Sequence, residues 1–198
     1  MTASTENAAS APLPTLDEIA ADSPPALFPV DLLQGARSAI SFYSAAFYGR
    51  NDVIHLHRAG LSAIALNDLD EKKLAHMRSL YPACGEILVG DAAATAQRLA
   101  AENRVFDIVV CDPFTNMTKL MVTDLFPAFR SLAARWYIFG LIGDDIAALG
   151  GEPDPTDLGR LLSRLHGDEI SVAALVLRNP NPSQRGVYWG AVAGSGAR

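Results

Sequence analysis

Cysteine, cationic side chains and long apolar runs are all scarce in this chain of 198 residues. The only two cysteines, Cys84 and Cys111, indicate no disulfide framework, so we expect a reducing compartment. No apolar run approaches the roughly 20 residues of a membrane span, so a membrane protein is not expected. Lys and Arg number 16 against 22 acidic residues, a net charge of −6, which argues against a broad nucleic-acid surface. The first residues lack the pattern of a secretory signal, so a cytoplasmic location is expected.

The length suits one domain with a substantial core. Residues 1–25 are rich in Ala, Ser, Thr and Pro, a composition that rarely orders alone, and we predict a flexible N-terminal arm there. A short helix capped by Thr15 is the one element expected within it. The remainder, residues 26–198, is predicted to form a single domain.

Strand-like and helix-like segments alternate through this domain. Asp52 and Asp70 are suited to cap the first two helices, and Pro127 implies a kink or a fresh helix start capped by Thr123 or Asp124. Thr156 or Asp157 is predicted to cap the last helix. The predicted strands are 38–44, 62–66, 87–89, 106–111, 136–141, 170–177 and 186–193, and the predicted helices are 53–59, 70–81, 92–101, 117–134 and 156–165.

Five successive β-α units predict a mostly parallel sheet. The last two strands have no helix between them, and a parallel return needs a crossover of about a dozen residues, so these two strands must be antiparallel if they pair. We therefore predict an α/β fold: a doubly wound, mostly parallel seven-stranded sheet with a C-terminal antiparallel hairpin and helices on both faces.

Three of the apolar runs end in an aspartate: Asp68, Asp91 and Asp112. Ligands of such sheets bind at the carboxyl ends of the strands, so the pattern predicts that three acids share one edge. Each acid has a simpler explanation as well, because an aspartate at a strand end also caps the following helix or turn.

The first of three motifs, Ala65-Leu-Asn-Asp68-Leu69-Asp70, resembles the end of strand two in the class I, Rossmann-like S-adenosylmethionine-dependent methyltransferases. The resemblance covers residues 36–193. It implies that the two oxygens of Asp68 accept hydrogen bonds from both ribose hydroxyls of the cofactor, and that Leu69 lies against the adenine.

Two further motifs are similar to the same family. Gly90-Asp91-Ala92 matches the residues that meet the adenine amino edge, which implies a cofactor-binding role for Asp91 and Ala92. Asp112-Pro113-Phe114 is similar to the strand-four motif of amino-methylating members. It implies that Asp112, Pro113 and Phe114 form the catalytic site, where the acid orients the acceptor amine and the ring stacks on a planar substrate. Here a single proline stands where the family commonly has two.

The turn after strand one departs from the pattern of the family, in which three glycines let the backbone approach the methionine part of the cofactor and an acid binds its amino group. Of the glycines only Gly49 is present. Tyr43 or Ser44 stands in place of the acid, and each offers a hydroxyl but no charge. Phe47 and Tyr48 are bulky enough to fill the pocket or to stack on a ligand.

Together these features predict a methyltransferase that uses S-adenosylmethionine as its cofactor. The resemblance leaves the acceptor open among a small molecule, a protein and a nucleobase. The altered turn favours an alternative, a catalytically inactive binding or scaffold protein of this fold, as part of a homo-oligomer or hetero-oligomer. A nicotinamide-dependent protein ranks last because it leaves the Asp-Pro-Phe motif unexplained. No metal site is expected, since His55 and His57 lie two positions apart with no further ligand at a suitable spacing.

Overall fold

The computed structural model describes residues 13–112, 121–179 and 186–196. The sheet has seven strands in the order β3-β2-β1-β4-β5-β7-β6, parallel except for β7, which runs antiparallel to both of its neighbours. This confirms the predicted fold class. The strands are β1 Ser38–Phe42, β2 Ala63–Asp68, β3 Glu86–Val89, β4 Phe106–Cys111, β5 Ala133–Ile142, β6 Val172–Asn179 and β7 Val187–Ala193.

Helices cover both faces of the sheet and their ends follow from local side-chain chemistry. Asp52, Asp70 and Asp91 each accept a hydrogen bond from a backbone N–H at the start of the helix that follows. Among the described residues the α-helices are α1 Leu16–Ala21, α2 Val53–Arg58, α3 Glu71–Leu80, α4 Ala92–Ala101, α5 Phe126–Ser131, α6 Gly143–Ala148 and α7 Pro155–His166.

Two helix starts differ from the prediction. The cap of α7 is Asp154, whose side chain accepts from the N–H groups of Thr156 and Asp157, so neither of those residues is the cap. Pro127 lies in the first turn of α5, where its missing N–H costs no hydrogen bond. A single π-helical turn, Met121–Leu125, precedes α5, and Leu125 rather than Thr123 or Asp124 stands at its N-cap.

Within the predicted N-terminal arm, the described residues pack on the domain. Thr15 and Glu18 form a reciprocal capping box at the start of α1, and the Ile19 side chain is buried. The hydroxyl of Ser23 donates to the carbonyl of Arg50, while the Arg58 guanidinium donates to the carbonyls of Ser23 and Ala20. Residues of this segment therefore contact the rest of the fold, and the flexible arm remains a prediction, since residues 1–12 lie outside the described residues.

Apolar side chains form two core layers, one on each face of the sheet. One layer packs α4, α5 and α7 against the sheet around Phe129, Tyr137 and Leu162. The other packs the N-terminal segment, α2 and α3 around Phe28, Leu56 and Trp189. No helix in the described part of the chain combines the length and the hydropathy that a membrane crossing requires.

Candidate functional site

Strand register brings the three predicted acids to the carboxyl edge of the sheet. Phe42, the last residue of β1, pairs with Asn67 of β2 on one side and with Cys111 of β4 on the other. Asp68 and Asp112 are the next residues along those two strands. Asp68 in turn pairs with the last residue of β3, two positions before Asp91. The end of β1 therefore lies in the centre of the site, with acids on both sides.

Asp68 fixes the turn that follows β1. Its Oδ2 accepts from the backbone N–H of Ala45 at 3.0 Å, and its Oδ1 accepts from Leu69 and Asp70 at 2.7 and 3.2 Å. An ionised carboxylate has about four acceptor positions, so the single bond on Oδ2 leaves capacity for a ligand donor. The Leu69 side chain is 74% exposed beside it.

A buried amide next to Asp68 positions the end of β3. The Nδ2 group of Asn67 lies 2.7 and 3.1 Å from the carbonyls of Leu88 and Gly90, and it also reaches the hydroxyl of Thr95. Asp91 follows this turn with an exposed carboxylate, whose Oδ1 accepts from the N–H of Ala94 at 2.9 Å. Ala92 is buried at the start of α4. Asn67 thus holds the turn that presents Asp91, a role that no sequence motif signalled.

The turn after β1 adopts left-handed backbone without the glycines typical of such a turn. Tyr43, Phe47 and Tyr48 have φ values of 61°, 51° and 54°, ahead of Gly49 at 74°. A left-handed conformation costs about 1 kcal/mol or more for a non-glycine residue, so the surrounding contacts must stabilise this turn.

Of the two residues predicted in place of the missing acid, Tyr43 is the one whose side chain lies near the carboxylates of Asp68 and Asp91. Burial raises the pKa of its phenol, and the Cys111 thiol and the carboxylates of Asp91 and Asp68 raise it further. The Ser44 hydroxyl is buried inside the fold, where it donates to the carbonyl of Asn67 at 3.3 Å.

Gly49 is required by packing as well as by its φ value. A Cβ atom added there would lie 2.7 Å from the Cβ of Val53 and 3.0 Å from the Cε of Met77. The two aromatic residues before Gly49 differ in their surroundings: Phe47 is 50% exposed, whereas Tyr48 packs edge-on against His76 of α3.

Asp112 forms the centre of a buried polar cluster. Its Oδ1 accepts from Arg178 Nη1 at 2.6 Å and its Oδ2 accepts from Asn51 Nδ2 at 3.3 Å. Burial raises the pKa of Asp112, and its two hydrogen-bond partners oppose that shift. Arg178 also lies over the ring of Trp189, with 5.0 Å between its guanidinium carbon and the ring centroid.

A second buried acid, Asp52, extends this cluster beneath the turn. It is hydrogen-bonded to the Ser41 hydroxyl on β1, and it accepts from the N–H of Val53 at 2.7 Å. Burial and the nearby charge of Asp112 raise the pKa of Asp52 to about 7, although Ser41, Val53 and Arg178 act in the other direction. The carboxyl groups of Asp52 and Asp112 therefore lie near the single guanidinium of Arg178 in this buried cluster. With a pKa of about 7, Asp52 is mostly protonated at acidic pH.

A cavity of about 20 Å³ adjoins the cluster under the N-terminal segment. Its lining includes His55 and Trp189, whose Nδ1 and Nε1 atoms are buried without a hydrogen-bond partner among the described residues. Burial lowers the pKa of His55 to about 4, with the charges of Arg58 and Arg178 adding to the effect. The neutral ring stacks on Phe28 at 4.8 Å between ring centroids. Such a volume is about that of one water molecule.

Two of the predicted catalytic residues, Pro113 and Phe114, lie outside the described residues. Of that motif, Asp112 alone is placed by the structure. Within the described ranges, no three His, Cys, Asp or Glu side chains are grouped so that they could hold a metal ion.

Comparison with known proteins supports the fold more strongly than any particular activity. No protein-family model matches the chain, and no curated protein matches it either. Solved structures do match. An O-methyltransferase from Bacillus cereus in complex with SAH, S-adenosylhomocysteine, is 18% identical with a TM-score of 0.57, and 93% of each chain is covered.

Two further structures show the same fold. The N-methyltransferase NodS from Bradyrhizobium japonicum is 10% identical with a TM-score of 0.51, over 85% of this chain and 92% of that one. A Streptococcus mutans protein classed as a SAM-dependent methyltransferase is 12% identical with a TM-score of 0.55, over 82% of this chain. This chain spans about half of that protein, since only 46% of its length is covered. At these identities the comparisons show that the chain has the class I methyltransferase fold.

Proposed function

We propose that this protein binds S-adenosylmethionine at the carboxyl edge of β1 to β4 and transfers a methyl group to an acceptor held beside Asp112. The observation that carries the proposal is the pair of acids, Asp68 and Asp91, at neighbouring strand ends of a methyltransferase fold, with Tyr43 near both. The Bacillus cereus O-methyltransferase, whose structure contains S-adenosylhomocysteine, supports the same cofactor class for this chain.

The hydrogen-bond acceptors at this edge of the sheet fit the donors of a nucleoside. A ribose diol offers two donors and an adenine amino group offers another, and both kinds of donor need carboxylate or carbonyl acceptors. Asp68 retains acceptor capacity on Oδ2, and Asp91 presents an exposed carboxylate. Tyr43 and the exposed Leu69 would provide apolar contact. When bound, S-adenosylmethionine supplies an electrophilic methyl group on its sulfonium centre.

The residues of the chain then contribute position rather than acid-base chemistry. Transfer of a methyl group to an amine depends mainly on aligning the reactants and removing water. Asp112 is suited to fix an acceptor because it is 6% exposed and sits at the end of β4, next to the end of β1. Its longer bond, the 3.3 Å contact from Asn51, is the one that an acceptor N–H would replace.

The buried polar cluster around Asp112 favours a second candidate function, that of a non-catalytic binding protein. Both oxygens of Asp112 are already bonded, one of them to a guanidinium. A protein that binds the nucleoside without catalysing transfer would have this arrangement, with Asp112 serving to anchor β6. The two functions differ in product formation and share cofactor binding.

Calorimetric titration with S-adenosylmethionine and S-adenosylhomocysteine tests the shared step. We expect Asp68→Asn and Asp91→Asn each to weaken binding by about tenfold or more, since each removes a charged acceptor. Asp31→Asn, an exposed acid in the 3₁₀ helix Val30–Leu33, is the matched control and should leave affinity unchanged. Absence of binding at millimolar ligand to folded protein would contradict both functions.

Release of S-adenosylhomocysteine in the presence of amine-bearing acceptors then separates the two candidates. Turnover with such an acceptor supports the transferase. Tight binding with no turnover across small-molecule, peptide and nucleobase amines supports the non-catalytic protein.

A further inference from the structure

The turn after β1, residues 43–52, depends on contacts from other segments. Three of its non-glycine residues have left-handed φ values, and such residues persist only where the surrounding structure holds them. The backbone bonds inside the turn are short in range: the N–H of Tyr48 donates to the carbonyl of Ala45 at 3.3 Å, and that of Arg50 donates to Phe47 at 3.1 Å. These bonds close each reverse turn, but they do not fix where the whole turn lies over the sheet.

Ser23, on the N-terminal segment of residues 13–33, contacts this turn from outside. Its Oγ lies 2.7 Å from the carbonyl oxygens of both Ile19 and Arg50, and only 2% of the residue is exposed. A hydroxyl has one hydrogen, so the two carbonyls share it. Arg50 directly follows Gly49, and this contact therefore ties the far end of the turn to the end of α1.

Ser23 is itself held in place by backbone hydrogen bonds. Its N–H donates to the carbonyl of Ala20 at 3.2 Å, and its own carbonyl accepts from Nη1 of Arg58, in the last turn of α2. Nη2 of Arg58 also donates to the carbonyl of Ala20, at 2.7 Å. The backbone of Ser23 is thus fixed from both α1 and α2, so its hydroxyl can hold the Arg50 carbonyl in one position.

The same segment contacts the turn at two further points. Asp22 accepts from Arg50 Nη1 at 3.1 Å, but 64% and 44% of these two side chains are exposed, so this ion pair contributes little. His76 Nε2 lies 3.2 Å from the carbonyl oxygen of Pro14, and the His76 ring packs edge-on against Tyr48 at 5.6 Å between centroids. The segment therefore supports the turn near Tyr48 as well as at Arg50.

The turn connects the two halves of the proposed site. Near its start, the N–H of Ala45 donates to Asp68, the acid proposed to bind the ribose. Just after Arg50, the side chain of Asn51 donates to Asp112 on the acceptor side. A displacement of the turn would therefore alter groups on both sides of the site.

We propose that Ser23 is a positioning residue for the cofactor. Through the Arg50 carbonyl it holds the turn after β1 in the conformation that binds S-adenosylmethionine. This inference rests on the proposed function. Coupling between two sites is reciprocal, so a segment that favours the binding conformation of the turn must itself be stabilised when the cofactor binds. The N-terminal segment thus contributes to cofactor affinity through the turn.

Calorimetric titration of the full chain with S-adenosylhomocysteine tests this role. We expect Ser23→Ala to raise the Kd by about threefold to tenfold, the range that corresponds to the net contribution of one hydrogen bond. Ser23→Thr retains the hydroxyl and should restore affinity to within about twofold of the wild type.

Ser163→Ala is the matched control. The Ser163 hydroxyl lies 2.7 Å from the carbonyl oxygen of Gly159, four residues earlier in α7, and 3.3 Å from that of Ile170. It also accepts from the N–H of Ile170 at 2.9 Å, so its removal should destabilise the fold at least as much as Ser23→Ala. Because α7 packs in the other core layer, we expect urea unfolding to show a loss in both variants and calorimetry to show weaker binding in Ser23→Ala alone.

Hydrogen exchange locates the effect in the chain. Without ligand, Ser23→Ala should speed amide exchange at residues 48–52. In the wild type, S-adenosylhomocysteine should slow exchange in α1, a measurement that remains decisive if Ser23→Ala does not fold. Equal affinities of wild type and Ser23→Ala, or an equal loss in Ser163→Ala, overturn the positioning role and leave cofactor binding in place. A folded wild type that binds no S-adenosylhomocysteine overturns the proposed function and this inference with it.

Discussion

The Arg178 guanidinium reaches Asp112 across two intervening strands. Arg178 lies on β6 and Asp112 follows β4, with β5 and β7 between them in the sheet, yet Nη1 and Oδ1 are 2.6 Å apart. The side chain passes over the ring of Trp189 on β7 to make this bond. Only 18% and 9% of the two side chains are exposed, so the pair lies largely out of water.

Replacing Arg178 with methionine should destabilise the fold. The change keeps most of the side-chain volume but leaves the Asp112 carboxylate buried without its cation, and we expect a loss of about 2 to 3 kcal/mol in the free energy of unfolding. The double variant with Asp112→Asn should recover more than half of that loss. Urea unfolding of the wild type, the two single variants and the double variant measures both the loss and its recovery. Arg160→Met, which removes an exposed ion pair with Asp157, is the control and should change little.

The pH dependence of stability should reveal Asp52. The pKa of its carboxyl is about 7 in the fold and about 4 in the unfolded chain, so the folded protein holds an extra proton between these values. The contribution of Asp52 is fully present below pH 4 and is lost as pH rises through 7, by about 1 kcal/mol per pH unit.

Asp52→Asn keeps the hydrogen-bonding shape and removes this titration. We therefore expect its stability to rise relative to wild type as pH increases from 4 to 8. The pKa of His55, lowered from 6.5 to about 4, makes stability rise with pH between these two values, which is the opposite direction. This contribution is the same in wild type and variant, so it cancels in the difference between their stabilities. Urea unfolding at several pH values gives that difference, and a flat one would contradict the prediction.

Gly49→Ala should be more harmful than Gly60→Ala. Both glycines have positive φ, 74° and 78°, so both variants lose about 1 kcal/mol from backbone conformation alone. An alanine at position 49 would also meet the Val53 side chain at 2.7 Å, whereas nothing lies within 4 Å at position 60. We expect an additional loss of about 1 to 3 kcal/mol at position 49, measured by chemical unfolding. Equal losses would show that the turn relaxes around the added methyl group.

Asp68→Ala should loosen the turn after β1 as well as weaken cofactor binding. It removes the acceptor for the N–H of Ala45 and for two N–H groups at the end of β2. We expect a loss of about 1 to 2 kcal/mol in stability, together with faster amide exchange at residues 44–49. Asp68→Asn retains one acceptor oxygen and should lose less. If exchange in the turn does not change, Asp68 acts on the ligand alone.

The amino-acid sequence by itself determined the seven strands and their order along the chain, whereas the short helix α6 was not predicted. Short apolar runs ending in Asp68, Asp91 and Asp112 predicted parallel strands, and the last two strands without a helix between them predicted the antiparallel hairpin. The helix Ala92–Ala101 and the strand Phe106–Cys111 were predicted to the residue. These features depend on periodicity and on residues close together in the chain, so they can be recognised from local sequence.

Tertiary structure alone decided which side chains share the site. Arg178 and Asp112 are 66 positions apart, and nothing in either local sequence relates them. Asp52 was predicted as a helix cap, which it is, but its burial beside a second acid depends on how α2 packs under β1. The same holds for Tyr43, whose phenol lies near the carboxylates of Asp68 and Asp91, while the Ser44 hydroxyl bonds to the backbone of Asn67. Charges and hydroxyls act through distance and burial, and the packing of distant segments sets both.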